Sequence, residues 1–284
     1  MATAELLASG WTTAGPVVPF SQPLDSPIDV RQRIRVASEA GFVGFGLAHA
    51  DLLAARDTIG YRTLKQLLDD HGIVHVEVET LGDWFAGDER RATSDRVRRD
   101  LLEAAEALSA RHIKAEGDQV DTGWPVERMV DDFHELCAQA HDVGSRIAFE
   151  PMPFGNVRTP RDALGLVEAA DHPAAGMCID AWHVDRGKVS SAELAALPAA
   201  AITTVELNDG DAERVGTPLE DTLHRRKLCG TGSFDLTGFV TAIRSTGYDG
   251  PWGVEILSDE LRARDIEESI PDVYATTMAT LAPA

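Results

Sequence analysis

Cysteine is scarce in this chain: three residues in 284, Cys137, Cys178 and Cys229. They are too few and too scattered for a disulfide framework, and none belongs to a C-x-x-C zinc pair. Cys178 lies inside an apolar run, where it reads as a small core residue. No apolar stretch reaches the ~18 residues that a transmembrane helix needs. The first residues, Met1-Ala2-Thr3-Ala4-Glu5, lack the basic region of a signal peptide, so a cytoplasmic enzyme is the expectation. Basic residues are also in deficit, 26 against 47 acidic, for a net charge of −21. A nucleic-acid backbone or an anionic membrane needs a basic surface, so neither is expected as a main partner. No Gly-rich phosphate turn, GxGxxG or GxxxxGK, is present. No linker or low-complexity segment interrupts the chain, which points to one domain over residues 1–284.

What the chain does have is an alternation of short β-like runs with longer helical patterns. Strands are expected at 6–10, 42–47, 73–79, 112–116, 146–150, 176–180, 202–207 and 252–256. Helices are expected at 29–41, 61–71, 93–110, 125–143, 160–170, near 191–197, at 235–246 and at roughly 261–280. Asp29 is placed to cap the first of these and Gly41 to end it; Pro125 suits a first turn and Gly144 a C-terminus. A long polar loop is expected after 207. Strands separated by helices imply parallel pairing with right-handed crossovers. Eight such units in this length predict a (β/α)8 barrel, whose active sites lie at the C-terminal ends of the strands. A doubly wound open sheet is the rival, and the missing phosphate turn counts against it.

Four consecutive predicted strands end in an acid: Glu150, Asp180, Glu206 and, on the last, Glu255. A carboxylate is costly to desolvate, so a buried strand has little reason to end in one. Strand side chains alternate between faces. With Val74, Val76 and Val78 turned to the helices, His75, Glu77 and Glu79 point inward. The same parity turns inward Lys114 and Glu116, then Arg146, Ala148 and Glu150, then Cys178 and Asp180, then Thr204, Glu206 and Asn208, then Gly253 and Glu255. Carboxylates meeting at one point repel unless protons or a cation offset them. A single divalent metal ion held by Glu150, Asp180, Glu206 and Glu255 is the economical solution. An all-oxygen donor set suits Mg2+ or Mn2+ better than zinc. Lys114 and Arg146, a layer or more below, would offset part of the charge.

Candidate substrate contacts surround this point. His183, three residues after Asp180, stands where the loop after strand six begins, placed to bind a hydroxyl or move a proton. Arg186 follows three residues later and suits an anionic or polyol group. Arg225 or its neighbour Arg226 would clamp substrate from the loop after strand seven. Glu116 is inward and near the mouth. Trp84 follows strand three on the same side, as do Trp124 and Trp182 near theirs, and would wall a pocket. The segment 154–158 would close over it.

Several of these segments resemble the sugar phosphate isomerase/epimerase superfamily with the xylose isomerase-like TIM barrel. Phe149-Glu150-Pro151 is similar to its strand-five metal motif and Asp180-Ala181-Trp182-His183 to its D-x-x-H motif. Val205-Glu206-Leu207-Asn208-Asp209 resembles the strand-seven segment, and Gly230-Thr231-Gly232-Ser233-Phe234-Asp235 the G-x-G stretch that follows. Gly247-Tyr248-Asp249-Gly250 with Val254-Glu255 resembles the last strand. The likeness is clearest over 146–258. It implies one divalent cation on Glu150, Asp180, the strand-seven residue and Glu255. It also implies Glu150 and Glu255 as the catalytic acid/base pair, and His183 on the substrate. Many members carry His where this chain has Glu206. The implied activity is a metal-dependent sugar isomerase or epimerase acting through an enediolate on a keto- or aldo-sugar or polyol. The alternative is a lyase or dehydratase of an inosose or keto-sugar, which shares the first proton abstraction. A DNA-repair endonuclease is disfavoured by the −21 charge and the lack of paired His ligands; a non-catalytic sugar-binding barrel is a further reading. The family makes a homo-oligomer plausible.

Overall fold

The computed structural model describes residues 4–87, 89–119 and 124–282. Met1 to Thr3, part of the segment considered as a leader, lie outside them. Eight strands appear in chain order: β1 Leu6–Ala8, β2 Gly44–Ala48, β3 His75–Leu81, β4 His112–Glu116, β5 Arg146–Glu150, β6 Met177–Asp180, β7 Ile202–Leu207 and β8 Trp252–Val254. Each pairs in parallel with the next, and β8 pairs with β1, so the sheet closes into a barrel. This is the (β/α)8 architecture expected from the alternation of elements. No helix among the described residues is long and apolar enough to cross a membrane.

Local chemistry explains where the helices begin and end. The helix Val30–Ala40 is capped by the Asp29 carboxylate, which accepts from the Arg31 amide, and it stops at Gly41 with a left-handed φ of 114°. The helix Pro160–Ala170 begins with a reciprocal capping box between Thr159 and Asp162. Outward-facing strand residues such as Val76, Val78, Ile113, Ile147, Phe149, Ile179 and Val205 are buried against the helical layer. This is the apolar half of the alternation, and it leaves the polar half for the barrel interior.

Some boundaries differ from expectation. β3 runs two residues later than expected, because Val74 is 67% exposed below the barrel while Leu81 joins the ladder with β4. Four α-helices among the described residues were not expected: Gly10–Thr13, His49–Thr58, Ala181–Arg186 and Pro218–His224. The last lies inside the predicted polar loop and opens with a capping box between Thr217 and Glu220. The region expected as one helix over 125–143 is a short 3-10 turn, Val126–Arg128, followed by Val130–Asp142. The last helical region is likewise split, into Asp259–Arg262 and Ile266–Leu281, with Ser258 and Asp265 capping the two pieces.

Candidate active site

Alternation along the strands carries a ring of acids to the C-terminal mouth. Glu79, Glu150, Asp180, Glu206 and Glu255 are all buried there. Strand register sets their levels: Glu116 pairs with Glu150, Asp180 with Glu206, and Glu206 with Gly253. Gly253 matters here, because a Cβ at that position would lie 2.9 Å from Glu206 Cγ. Gly10 makes room in the same way for Glu79, whose Oε1 accepts from the Gly10 amide at 2.9 Å. Glu255 follows β8 directly, and its amide donates to Leu207 O at 3.1 Å. The Thr12 hydroxyl fixes that segment on both sides, donating to Val254 O and accepting from the Ile256 amide, each at 2.8 Å.

Two cations sit among these acids. Lys114 reaches from β4 and donates to both oxygens of Glu206, at 2.9 and 3.1 Å, and to Glu255 Oε1 at 2.9 Å. Arg226 lies 2.9 Å from both Asp180 Oδ2 and Glu255 Oε2, and Thr222 holds the rest of its guanidinium. Asp180 is further fixed by Asn208, at 2.7 Å, and it caps the helix Ala181–Arg186 by accepting from the His183 amide at 3.0 Å. That helix start presents the His183 ring to the cavity, with Nε2 3.2 Å from Glu150 Oε1. His183 Nδ1 has no hydrogen-bond partner among the described residues.

The electrostatics divide the acids into two groups. Burial pushes Glu150 up, but Lys114 and the hydrogen bond with His183 outweigh it and hold the carboxyl below its usual range. Glu255 is likewise held low, with burial opposed by Lys114 and Arg226. Burial dominates for Glu79 and Glu116, which are both pushed up to about 8. Glu206 is raised by burial and by the nearby Glu255 charge, with Lys114 opposing. The Lys114 ammonium itself stays firmly charged, because the surrounding carboxylates overcome its own burial. Two ionised acids on non-adjacent strands, one touching an imidazole, can take and return protons.

Above these groups opens a cavity of about 250 Å3. Glu79, Lys114, Glu116, Glu150, His183, Arg226 and Glu255 line its floor, and Trp11, Phe20, Leu24, Met152, Phe154, Leu219, Leu223 and Leu257 contribute to its walls. Such a shape, apolar around a few convergent polar groups, is typical of a small-molecule site.

Residues 34–278 match the xylose isomerase-like TIM barrel family. The chain belongs to this family. It is 29% identical over 245 residues to a 3-dehydroshikimate dehydratase of Pseudomonas putida, covering 85% of this chain and 38% of that protein. Among solved structures it resembles a xylose isomerase-like TIM barrel/4-hydroxyphenylpyruvate dioxygenase fusion protein, with a TM-score of 0.82 and 25% identity, over 97% of this chain and 42% of that one. The chain thus spans well under half of both proteins. It also resembles an IOLI protein with a bound zinc atom, with a TM-score of 0.83 and 17% identity, over 98% of each chain.

The buried acids of this xylose isomerase-like barrel include a donor set that could hold a metal ion. One oxygen from each of Glu150, Asp180, Glu206 and Glu255 lies within 4.8 Å of the others, all in buried residues. Oxygens on opposite sides of a small octahedral ion lie about 4.2 Å apart, so modest side-chain adjustment would complete a shell. Glu150 Oε1 meets His183 Nε2 at 3.2 Å and no further donor among the described residues, which leaves a lone pair for such an ion.

The other sequence candidates fall in varied places. Glu116 lines the cavity, where Gln119 donates to its Oε2 at 2.7 Å. Arg225 points away: it is 44% exposed, pairs with Asp211 and faces a separate depression, and its neighbour Arg226 is the buried one at the cavity. Arg186 also lies outside the cavity, bound to Asp221, Asp185 and Asp211 O, with its guanidinium 5.7 Å from the Trp182 ring and 5.0 Å from Phe234. Trp84 is a core residue rather than a wall. It packs on Phe85, Phe133 and Phe149, and its indole N–H donates to Glu116 O at 2.9 Å. Arg146 does not offset the acids: it binds Ala175 O and Ala200 O at the opposite end of the barrel. Sequence reasoning missed His49, which sits on an unexpected helix, and the apolar walls from the segment 11–24 and from the helix Pro218–His224. The capping box at Thr217 was a usable signal for the second of these wall segments.

Proposed function

We propose that this barrel is a metal-dependent lyase that dehydrates a cyclic hydroxyketone, with 3-dehydroshikimate as the first substrate to try. The observation that carries the reading is the pair of low-pKa carboxylates, Glu150 and Glu255, converging on the cavity floor with His183 against one of them. Similarity to the Pseudomonas putida dehydratase favours elimination over rearrangement.

Glu150, Asp180 and Glu255, with Glu206 close by, would hold the ion. Mn2+ or Mg2+ suits this oxygen-only set, and when bound it would polarise the ketone and stabilise negative charge developing on its oxygen. Glu255 or Glu150 takes the proton from the carbon beside the carbonyl. His183 delivers a proton to the hydroxyl on the next carbon, which departs as water, and the C–H and C–O bonds are replaced by a double bond. The apolar walls from Trp11, Leu24 and Leu257 exclude bulk water and receive the ring face of the substrate.

A second reading, isomerisation or epimerisation of a ketose, keeps the same first step and returns the proton to a neighbouring carbon or the opposite face. Glu150 and Glu255 come from strands that do not neighbour one another, which allows one to take the proton and the other to return it. The test is direct. Protein stripped with chelator and reloaded with Mn2+ is incubated in D2O with 3-dehydroshikimate, inososes and ketoses, and products are read by mass spectrometry. Loss of water supports the lyase. Deuterium uptake without loss supports the isomerase. Neither with any substrate, while a ligand still binds, means a non-catalytic binding barrel.

A further inference from the structure

Lys114 occupies the place where the acid ring most needs positive charge. Its backbone belongs to β4, one step below Glu116, and its side chain crosses the barrel interior toward β7 and β8. Nζ lies 2.9 Å from Glu79 Oε2, 2.9 Å from Glu206 Oε1, 2.9 Å from Glu255 Oε1 and 3.7 Å from Glu150 Oε2. It is 2% exposed. An ammonium has three donors, and here four carboxylates compete for them. Three of the four residues whose oxygens converge on the cation site therefore also contact Lys114; Asp180 is held by Arg226 and Asn208 instead.

Glu206 differs from the other three in how it is held. Both of its oxygens accept from Nζ, so it has no oxygen turned away from Lys114. Its Oε2 also accepts from the Cys178 thiol at 3.5 Å. Glu150 has an oxygen that meets only His183 among the described residues, and Glu255 divides its oxygens between Lys114 and Arg226. A divalent ion and a lysine ammonium cannot share the same carboxylate lone pairs at full strength. We infer that Lys114 is a built-in cation that keeps Glu206 out of the ligand shell, leaving Glu150, Asp180 and Glu255 as the protein ligands of the divalent ion. This rests on the reading of the acid ring as a divalent-cation site.

The test measures binding rather than turnover. Mn2+ affinity and stoichiometry are read by calorimetry and by the electron paramagnetic resonance of free Mn2+, in wild type, Lys114→Met, Glu206→Gln and the double variant. Melting temperature is measured in chelator. Lys114→Met should melt lower without metal and bind Mn2+ about tenfold tighter or more, because a unit positive charge has left and Glu206 is released. The double variant should lose that gain, and Glu206→Gln alone should still bind one Mn2+. If Lys114→Met does not fold, Glu206→Gln decides: retained binding supports the inference, and loss of Mn2+ in a folded variant overturns it. An unchanged or weaker affinity in folded Lys114→Met also overturns it, with the metal-site reading intact. Mn2+ binding only once Lys114 is removed overturns it, because the three-carboxylate shell would then not form beside the lysine. No binding in any variant overturns both this inference and the metal-dependent reading.

Discussion

Strands β5 to β8 each bring one acid to the barrel mouth, and three of those acids end or follow a short apolar run: Phe149-Glu150, Ile179-Asp180 and Val254-Glu255. Strands β1 to β4 bring Glu79, Glu116 and the cation Lys114, and the segment after β1 adds the walls at Trp11, Phe20 and Leu24. The two halves of one barrel are therefore unlike in charge and in task. The second half carries the two acids held low, Glu150 and Glu255, beside a Glu206 that burial raises. The first half supplies the buried counter-charge, two more raised acids in Glu79 and Glu116, and much of the apolar enclosure. The two halves meet at Lys114, which contacts acids from both.

The sharpest way to break that contrast is to neutralise the second half. Glu150→Gln and Glu255→Gln should each lower kcat on the order of 10^2 to 10^4-fold while the circular dichroism spectrum is retained. Equal activity in either variant would remove it from the chemistry. In the first half, Trp84→Ala should act on stability. Cutting a buried indole from among Phe85, Phe133 and Phe149 costs about 3–5 kcal/mol, measurable by urea denaturation. Mn2+ affinity should hold steady in that variant. A loss of Mn2+ binding without loss of stability would place Trp84 nearer the site than its packing indicates.

The paired arginines give a smaller, internal contrast. Arg226→Met removes the shared guanidinium from Asp180 and Glu255, leaving Asp180 with no cationic partner and Glu255 with Lys114 alone, and should cut kcat/KM about tenfold or more. Arg225→Met, at an exposed pair with Asp211, should change it less than about twofold. The reverse ranking would mean that the loop after β7 turns over when substrate binds.

Legibility in the sequence follows the same divide. The period-two alternation of Val76 and Val78 against Glu77 and Glu79 was enough to place acids inside the barrel, and the ends of β4, β5 and β7 were readable because each run is bounded by turn residues or charges. Parity also put Lys114 inside, but its reach across the barrel depends on which strands face each other, and that comes from closure. Parity cannot decide between adjacent loop residues. Arg225 and Arg226 are identical side chains one position apart, and only the antiparallel bridges of that loop, Asp209 with Lys227 and Arg225 with Ser258, turn one out and the other in. Trp84 and Arg186 were misplaced for a related reason. Each follows a strand on the mouth side, yet the indole fills an aromatic core, and the guanidinium is taken up by Asp221 and two rings. The helix Pro218–His224 is too short for a clear apolar period, so only its cap marked it.

The smallest expected effect concerns pH. In metal-free protein, Glu79 and Glu116 titrate near 8 and Glu77 near 7, all raised first by burial above the ~4.5 of the unfolded chain. A raised acid binds more protons folded than unfolded, so its stabilising contribution is full at low pH and is lost as pH rises through the folded value. Buried His112, whose pKa is depressed by burial and by Arg111, works in the opposite sense below about 6.5. The melting temperature in chelator should therefore fall by a few degrees from pH 6.5 to 8.5, and Glu116→Gln should flatten the slope. A rising melting temperature across that interval would contradict the division of acids described above.

The most direct measurement is proton exchange at carbon. Wild-type protein loaded with Mn2+ is mixed in D2O with 3-dehydroshikimate or another cyclic hydroxyketone, and the hydrogen beside the carbonyl is followed by NMR alongside product formation. The account predicts that this hydrogen is lost to solvent or removed with product in wild type, and is retained in Glu150→Gln or in Glu255→Gln. Hydrogen loss at the wild-type rate in both variants would show that the ring of acids at the barrel mouth does not perform the proton transfer.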